Sequence, residues 1–298
     1  MQEAFMEFIL ENENLRVTVE SHGAELVSVV NRQTGEELLW QADPEVWPRH
    51  APVLFPYCGR LKDGVFLHKG VRYEGGQHGF ARDMEHALRQ QTDDSVTLCL
   101  EANALTMKQF PFAFQFITTY TLEGNTVSHR VEVINDSDEV MPFGLGFHPA
   151  FNCPFEAGRP TEDYVLRFDV PQSPIMVETG SQDGLVTGQR RPLFQNQTDL
   201  PLTDTLFDHD SICMTNLTAK TLSLVEKDTG RSVDVDITGF PYVLVWSKAG
   251  PVKFVCIEPW HSLPDARDAS GQWEEKPAAA RLNPGQRFAT VLKMRFAR

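Results

Sequence analysis

Apolar and polar residues alternate with a period of two through much of this chain, and that pattern leaves little room for helices. In residues 111–124, PFAFQFITTYTLEG, the side chains of Phe112, Phe114, Phe116, Tyr120 and Leu122 share one face. Val127, Val131 and Val133 repeat the pattern in the next segment, across Glu123, Gly124 and Asn125. Gly and Asn tolerate the positive φ of a tight turn, so the two segments read as a hairpin. A second hairpin is expected from Leu222 and Leu224 through the turn at Asp228, Thr229 and Gly230 to Val233, Val235 and Ile237. A third runs through residues 15–40, and a β-branched strand begins at Ser95. No segment keeps an i, i+3, i+4, i+7 apolar pattern for three turns.

The expected fold is therefore all-β: a large antiparallel sandwich with few short helices. Residues 42–76, 152–162 and 171–205 are the expected long loops. Nothing marks a linker or a repeat, so residues 1–298 are read as one domain, because large all-β folds commonly reach this length as one unit.

Five cysteines, at 58, 99, 153, 213 and 256, form an odd set without a CxxC. They read as reduced core thiols of a cytoplasmic protein. The formal net charge of −14 argues against an extended nucleic-acid surface. No apolar run approaches the roughly 18 residues of a membrane-spanning helix, and residues 1–15 place acids where a signal peptide has a basic region.

Four segments carry candidate chemistry. FPYCGRLKDG places Arg60 after a glycine and before a turn, and GGQHGFARD flanks His78 with glycines that allow close backbone approach to a ligand. GLGFHPAFNCPF puts His148 among phenylalanines, and FVCIEPWHSLPD ends an apolar run on Glu258, before Pro259 and Trp260. A carboxylate there is costly to bury unless paired. With Pro259 ending the ladder, the side chain is expected at a strand end near an opening. Trp260 offers an aromatic face for the C–H face of a sugar.

Each residue has a bland counterpart: a core histidine, a solvated loop arginine, a surface glutamate at a strand exit. Asp208, His209 and Asp210 are consecutive, so on a strand they cannot easily reach one metal ion; no metal is expected. P-loop, HExxH and G-x-S-x-G motifs are absent from the sequence.

In this order the four segments resemble the aldose 1-epimerase (galactose mutarotase-like) family, with the LacX-like subgroup the best match, from about residue 8 to the C-terminus. The resemblance implies a β-sandwich of the galactose mutarotase-like kind with a sugar site in a concave surface. It implies interconversion of α and β anomers of a free hexose without a cofactor. On it, His148 is the acid and Glu258 the base. His78 and Arg60 bind the sugar, and an aspartate on a preceding strand, Asp210 rather than Asp208, assists. Arg82 and Trp260 complete the expected binding set.

Two alternatives stand beside this reading. One is a mutarotase of hexose 6-phosphates, with Arg60 and Arg82 holding the phosphate. The other is a carbohydrate-binding or sensing protein without turnover. A hydrolase using two carboxyl groups is a more distant option. The expected partner is a small sugar, with a homodimer left open. A carboxylate near His148 would favour its charged form, and the apolar neighbours would oppose it. The sequence leaves that contest undecided.

Overall fold

The computed structural model describes residues 5–297. Two large antiparallel sheets dominate. One has nine strands, running from the edge strand Gln197–Pro201 through Tyr164–Gln172, Thr221–Glu226, Ser232–Asp236, Arg287–Ala297, Thr126–Asn135, Phe114–Glu123 and Ser95–Glu101 to Ala87–Gln91. The other runs Val186–Pro192, Ile175–Thr179, Ile212–Thr215, Tyr242–Trp246, Phe254–Trp260, Gly146–Phe147 and Val53–Leu54, with Ala150–Asn152 also paired to Phe254–Trp260. Phe116, Tyr120, Val131 and Leu292 of the first sheet share one buried cluster with Val243, Val245, Val255 and Ile257 of the second. The fold is thus an antiparallel β-sandwich. Each fully buried side chain of this size contributes about 1.5–3 kcal/mol.

All three expected hairpins form. Phe114–Glu123 and Thr126–Asn135 pair with Glu123 opposite Thr126, leaving Gly124 and Asn125 as the turn; Gly124 has φ 54°. Thr221–Glu226 pairs with Ser232–Asp236, and Leu15–Glu20 with Leu26–Asn31. The strand at Ser95 runs to Glu101. Among the described residues the one α-helix is a single turn, Thr106–Gln109, and no helix is long and apolar enough to cross a membrane.

Three expectations are corrected. Residues 171–205 are not one loop: they hold Ile175–Thr179, Val186–Pro192 and Gln197–Pro201. The last two lie at sheet edges, and side chains such as Gln189, Arg190 and Arg191 are exposed. With little to bury, the pattern of alternation disappears. Within residues 42–76, likewise, Val65–His68 and Val71–Glu74 form a two-stranded ribbon. Pro259 does not end its strand, which continues to Trp260 with Val243 opposite Pro259. Proline removes one donor but keeps an extended φ, so it weakens a ladder without bending the chain. Glu258 is consequently an interior strand residue, 1% exposed.

Candidate active site

The strand Phe254–Trp260 is buried on both faces, and its alternation decides what each face does. Val255 and Ile257 point into the core between the sheets. Phe254, Cys256 and Trp260 pack in separate clusters on the opposite face, and strand geometry places Glu258 with them. On one side of this strand, Leu244 pairs with Glu258. On the other, Gly146 pairs with Trp260 and Ala150 pairs with Cys256. His148 lies midway between those two pairs, opposite Glu258, where the ladder is interrupted at Pro149. The His148 N–H donates instead to the Pro52 carbonyl (3.1 Å) and that of Ala150 to His50 (3.0 Å). The sequence GFHPAFN therefore sets an imidazole and a carboxylate side by side, with His148 Nε2 3.2 Å from Glu258 Oε2.

The pair faces a cleft of about 470 Å³, lined among others by Arg60, His78, Arg82, Asp210 and Trp260. Every site residue expected from the sequence thus reaches one cavity. Asp208 is not among its lining residues, whereas Asp210 is, at φ 78° and exposed. A larger cleft of about 690 Å³ lies elsewhere, beside Glu36, Phe155 and Arg231. Its Arg231 is engaged by Glu36 (2.5 Å) and Glu156 (3.4 Å), and no histidine is among its lining residues.

Glycines hold His78 in place. Gly79 has φ 72°, and a Cβ there would sit 2.2 Å from the Phe55 carbonyl oxygen, which accepts the N–H groups of Phe80 (3.0 Å) and Ala81 (3.2 Å). His78 itself takes φ 69°. Its Nδ1 accepts the Gly59 N–H at 2.9 Å, so the neutral ring carries its proton on Nε2. The ring stands edge-on to His148, at 5.6 Å and 90°.

Arg82 donates through Nη2 to the Gln77 carbonyl (2.7 Å), while its buried Nε has no hydrogen-bond partner and lies 3.8 Å from Asp83 Oδ2. Arg49 caps the same loop through Asp83 (2.7 Å) and the Arg82 carbonyl (3.4 Å). The loop carrying Arg49 is itself anchored by the buried Glu25 carboxylate, which accepts the N–H groups of His50 and Ala51, both at 2.8 Å.

Sequence reasoning missed Trp47, Arg49, Gln77, Trp246 and Lys248, all of which line the cleft. Trp47 stacks on His148 (4.9 Å, 24°) and Trp246 meets the same ring edge-on (5.8 Å, 83°). These two rings are partly exposed, whereas Trp260 is 3% exposed. Trp260 therefore walls the site from below, and Trp47 and Trp246 are the rings that can meet a sugar face.

Burial decides the contest over His148. It pushes the imidazole down to about 3, with Arg82 and Arg49 adding to the effect. Burial, followed by the charge of Asp210, raises Glu258 well above the ordinary carboxylate range. His78 is also driven well below 6.5 by burial and then by His148 and the arginines. Each group of the pair thus favours its neutral form. For a metal, the one His/Cys/Asp/Glu cluster with convergent donors among the described residues is His148, Cys256 and Glu258.

The family model for aldose 1-epimerase matches residues 6–295. Protein LacX (plasmid) of Lactococcus lactis subsp. lactis is 33% identical over 282 residues, covering 92% of this chain and 94% of that protein. The crystal structure of a galactose mutarotase related enzyme from Lactobacillus acidophilus superposes with a TM-score of 0.94 at 35% identity, covering 98% of both chains. A galactose mutarotase-like protein from Lactobacillus casei ATCC 334 gives 0.90 at 31% identity, covering 97% of this chain and 99% of that one. An isomerase by this kinship, the chain belongs to the aldose 1-epimerase family.

Proposed function

We propose that this protein interconverts the α and β anomers of an aldohexose, with His148 and Glu258 moving the protons. The observation that carries the reading is their 3.2 Å approach at the wall of a polar cleft. Opening a pyranose hemiacetal needs a base at the C1 hydroxyl and an acid at the ring oxygen. A pair that shares one proton supplies both. As the basic member takes the O1 proton, C1–O1 becomes a carbonyl and the C1–O5 bond breaks. O5 then takes the proton held by the acidic member. Rotation about C1–C2 presents the other carbonyl face, and reclosure reverses both transfers, so the pair returns to its starting proton count. Each positioned transfer typically contributes about 10²–10⁴-fold.

His78, Arg60 and Asp210 are assigned to the hydroxyls, and Trp47 and Trp246 to the apolar face of the ring. Polarimetry on anomerically pure glucose and galactose tests the function. Enzyme-dependent decay of rotation, lost in His148→Asn, is the expected result. Decay no faster than in buffer with the intact protein, for both sugars, overturns it.

A second reading has its own support. Arg49, Arg60, Arg82 and Lys248 all line the cleft, against two acidic side chains, Asp210 and Glu258. Arg82 Nε is buried without a hydrogen-bond partner, and a guanidinium with a donor to spare suits a phosphate. A hexose 6-phosphate is then the substrate of the same chemistry. Glucose 6-phosphate competing with glucose at far lower concentration than glucose itself would favour this substrate, and absence of competition would remove it.

A further inference from the structure

Cys256 lies two residues before Glu258 on one strand, so the two side chains leave the same face of the sheet. Ring opening gives the thiol no task, yet His148, Cys256 and Glu258 bring a nitrogen, a sulfur and a carboxylate oxygen all within 4.8 Å of one another. All three residues are buried, at 7%, 0% and 1% exposure. One imidazole, one thiolate and one carboxylate form a donor set for Zn²⁺, which takes three protein ligands and leaves a fourth position open in catalytic-type sites. With nitrogen and oxygen at about 2.0–2.1 Å from the metal, a tetrahedral edge is about 3.3 Å. The His148–Glu258 separation of 3.2 Å already matches that edge. An edge to sulfur is about 3.5 Å, so the Cys256 sulfur, within 4.8 Å of the other two donors, has to shift for all three to bind one ion. Mg²⁺ and Ca²⁺, which prefer six or more oxygens, do not suit this set.

We propose that His148, Cys256 and Glu258 form a Zn²⁺ site that switches the protein off when occupied. The ion binds the neutral His148 Nε2, Glu258 and Cys256; the carboxyl proton of Glu258 and the thiol proton of Cys256 both leave to solvent as the Zn–O and Zn–S bonds form. With both atoms of the proton-moving pair committed to metal, neither O1 nor O5 has a partner. His148 and Glu258 line the cleft, so an ion held by them and a sugar reaching them exclude one another.

The test uses the full-length protein and two readouts. Co²⁺ is titrated in place of Zn²⁺, and the near-ultraviolet sulfur-to-cobalt charge-transfer band is followed. In parallel, Zn²⁺ is titrated into the polarimetric assay, and inhibition is reversed with EDTA. Wild type is expected to bind one metal per chain with a thiolate band. Cys256→Ser and Cys256→Ala are expected to lose the band and to need at least about tenfold more Zn²⁺ for half-inhibition, while metal-free turnover is kept. Cys213→Ser, a buried thiol two strands from Glu258 in register across Leu244, is expected to keep the band. Equal cobalt bands or equal Zn²⁺ sensitivity in wild type and both Cys256 variants would overturn the proposal, as would no metal binding by wild type. The cobalt spectrum needs no turnover, so failure of the mutarotase reading leaves this test intact.

Discussion

His148 and Glu258 are cross-strand partners on one face of a sheet, at the one place where their ladder lacks its hydrogen bonds. The flanking pairs, Gly146 with Trp260 and Ala150 with Cys256, fix that register from both sides. Side chains directly opposite on one face start with Cβ atoms about 4.5–5.5 Å apart. The 3.2 Å approach therefore needs no loop to fold over and no induced closure. If the two act as one unit, their losses must not add. His148→Asn and Glu258→Gln are each expected to cost about 10²–10⁴-fold in kcat. The double variant should cost little more than the worse single one. Losses that multiply in the double variant would show two independent contributions and dissolve the pair.

This register is what the sequence could not disclose. Residues 243–245 and 254–257 are continuous apolar runs, so the sequence marks a buried strand without showing that Val243, Val245, Val255 and Ile257 are the side chains that enter the core. That Glu258 leaves the face opposite Val255 and Ile257 follows once the segment is a strand. Which strand lies beside it does not, because pairing across 110 positions has no local signature. His78 and Arg60 were visible through their glycines, whose positive φ at Gly59 and Gly79 leaves a mark in composition. Trp47 and Arg49 left none. They sit in a stretch held by the distant Glu25 carboxylate, without periodicity, turn signature or motif. Trp260 was assigned a stacking face because tryptophan near a carboxylate suggests one, but its burial follows from the strand continuing through Pro259.

The pH profile follows from the shared proton. Turnover needs one proton on the pair. On the acid side that state is lost only when neutral His148 takes up a second proton, and burial has pushed that event from 6.5 to about 3. On the alkaline side it is lost when the raised Glu258 gives up its proton. kcat/KM should therefore stay flat from pH 7 down to about 5, the acid limb falling well below the ordinary histidine range. Trp47→Ala removes the ring stacked on His148 and admits water, so its acid limb should move up toward 6.5. A wild-type limb centred near 6.5, or no movement in the variant, would contradict the burial argument.

Gly79 separates backbone strain from steric exclusion. At Gly124, φ is 54° and an added Cβ meets nothing within 4 Å; Gly124→Ala should cost about 1–2 kcal/mol, the left-handed penalty alone. At Gly79 the same penalty is joined by a Cβ 2.2 Å from the Phe55 carbonyl oxygen. Gly79→Ala is expected to cost about 1–3 kcal/mol beyond the Gly124 variant. It should also raise KM, since His78 moves with the loop. Urea unfolding and polarimetry of both variants measure this. Equal stabilities would mean that the loop yields without cost.

His129 tests the same electrostatics away from the site. It is buried between Tyr120, stacked at 4.1 Å, and Phe147, with Nε2 unpartnered. Burial, with a smaller push from His86, lowers it to about 3. Between pH 6.5 and 3 the unfolded chain binds a proton here and the folded chain does not. Stability supplied by the neutral ring is thus fully present above 6.5 and is lost as pH falls, at up to about 1.4 kcal/mol per pH unit. His129→Phe removes that titration while keeping an aromatic ring against Tyr120. The variant's stability relative to wild type should therefore rise as pH is lowered from 7 to 5, by about 1–2 kcal/mol in urea unfolding. Parallel stability curves over this range would mean that the folded protein protonates His129 as readily as the unfolded chain does, and that its burial carries no electrostatic cost.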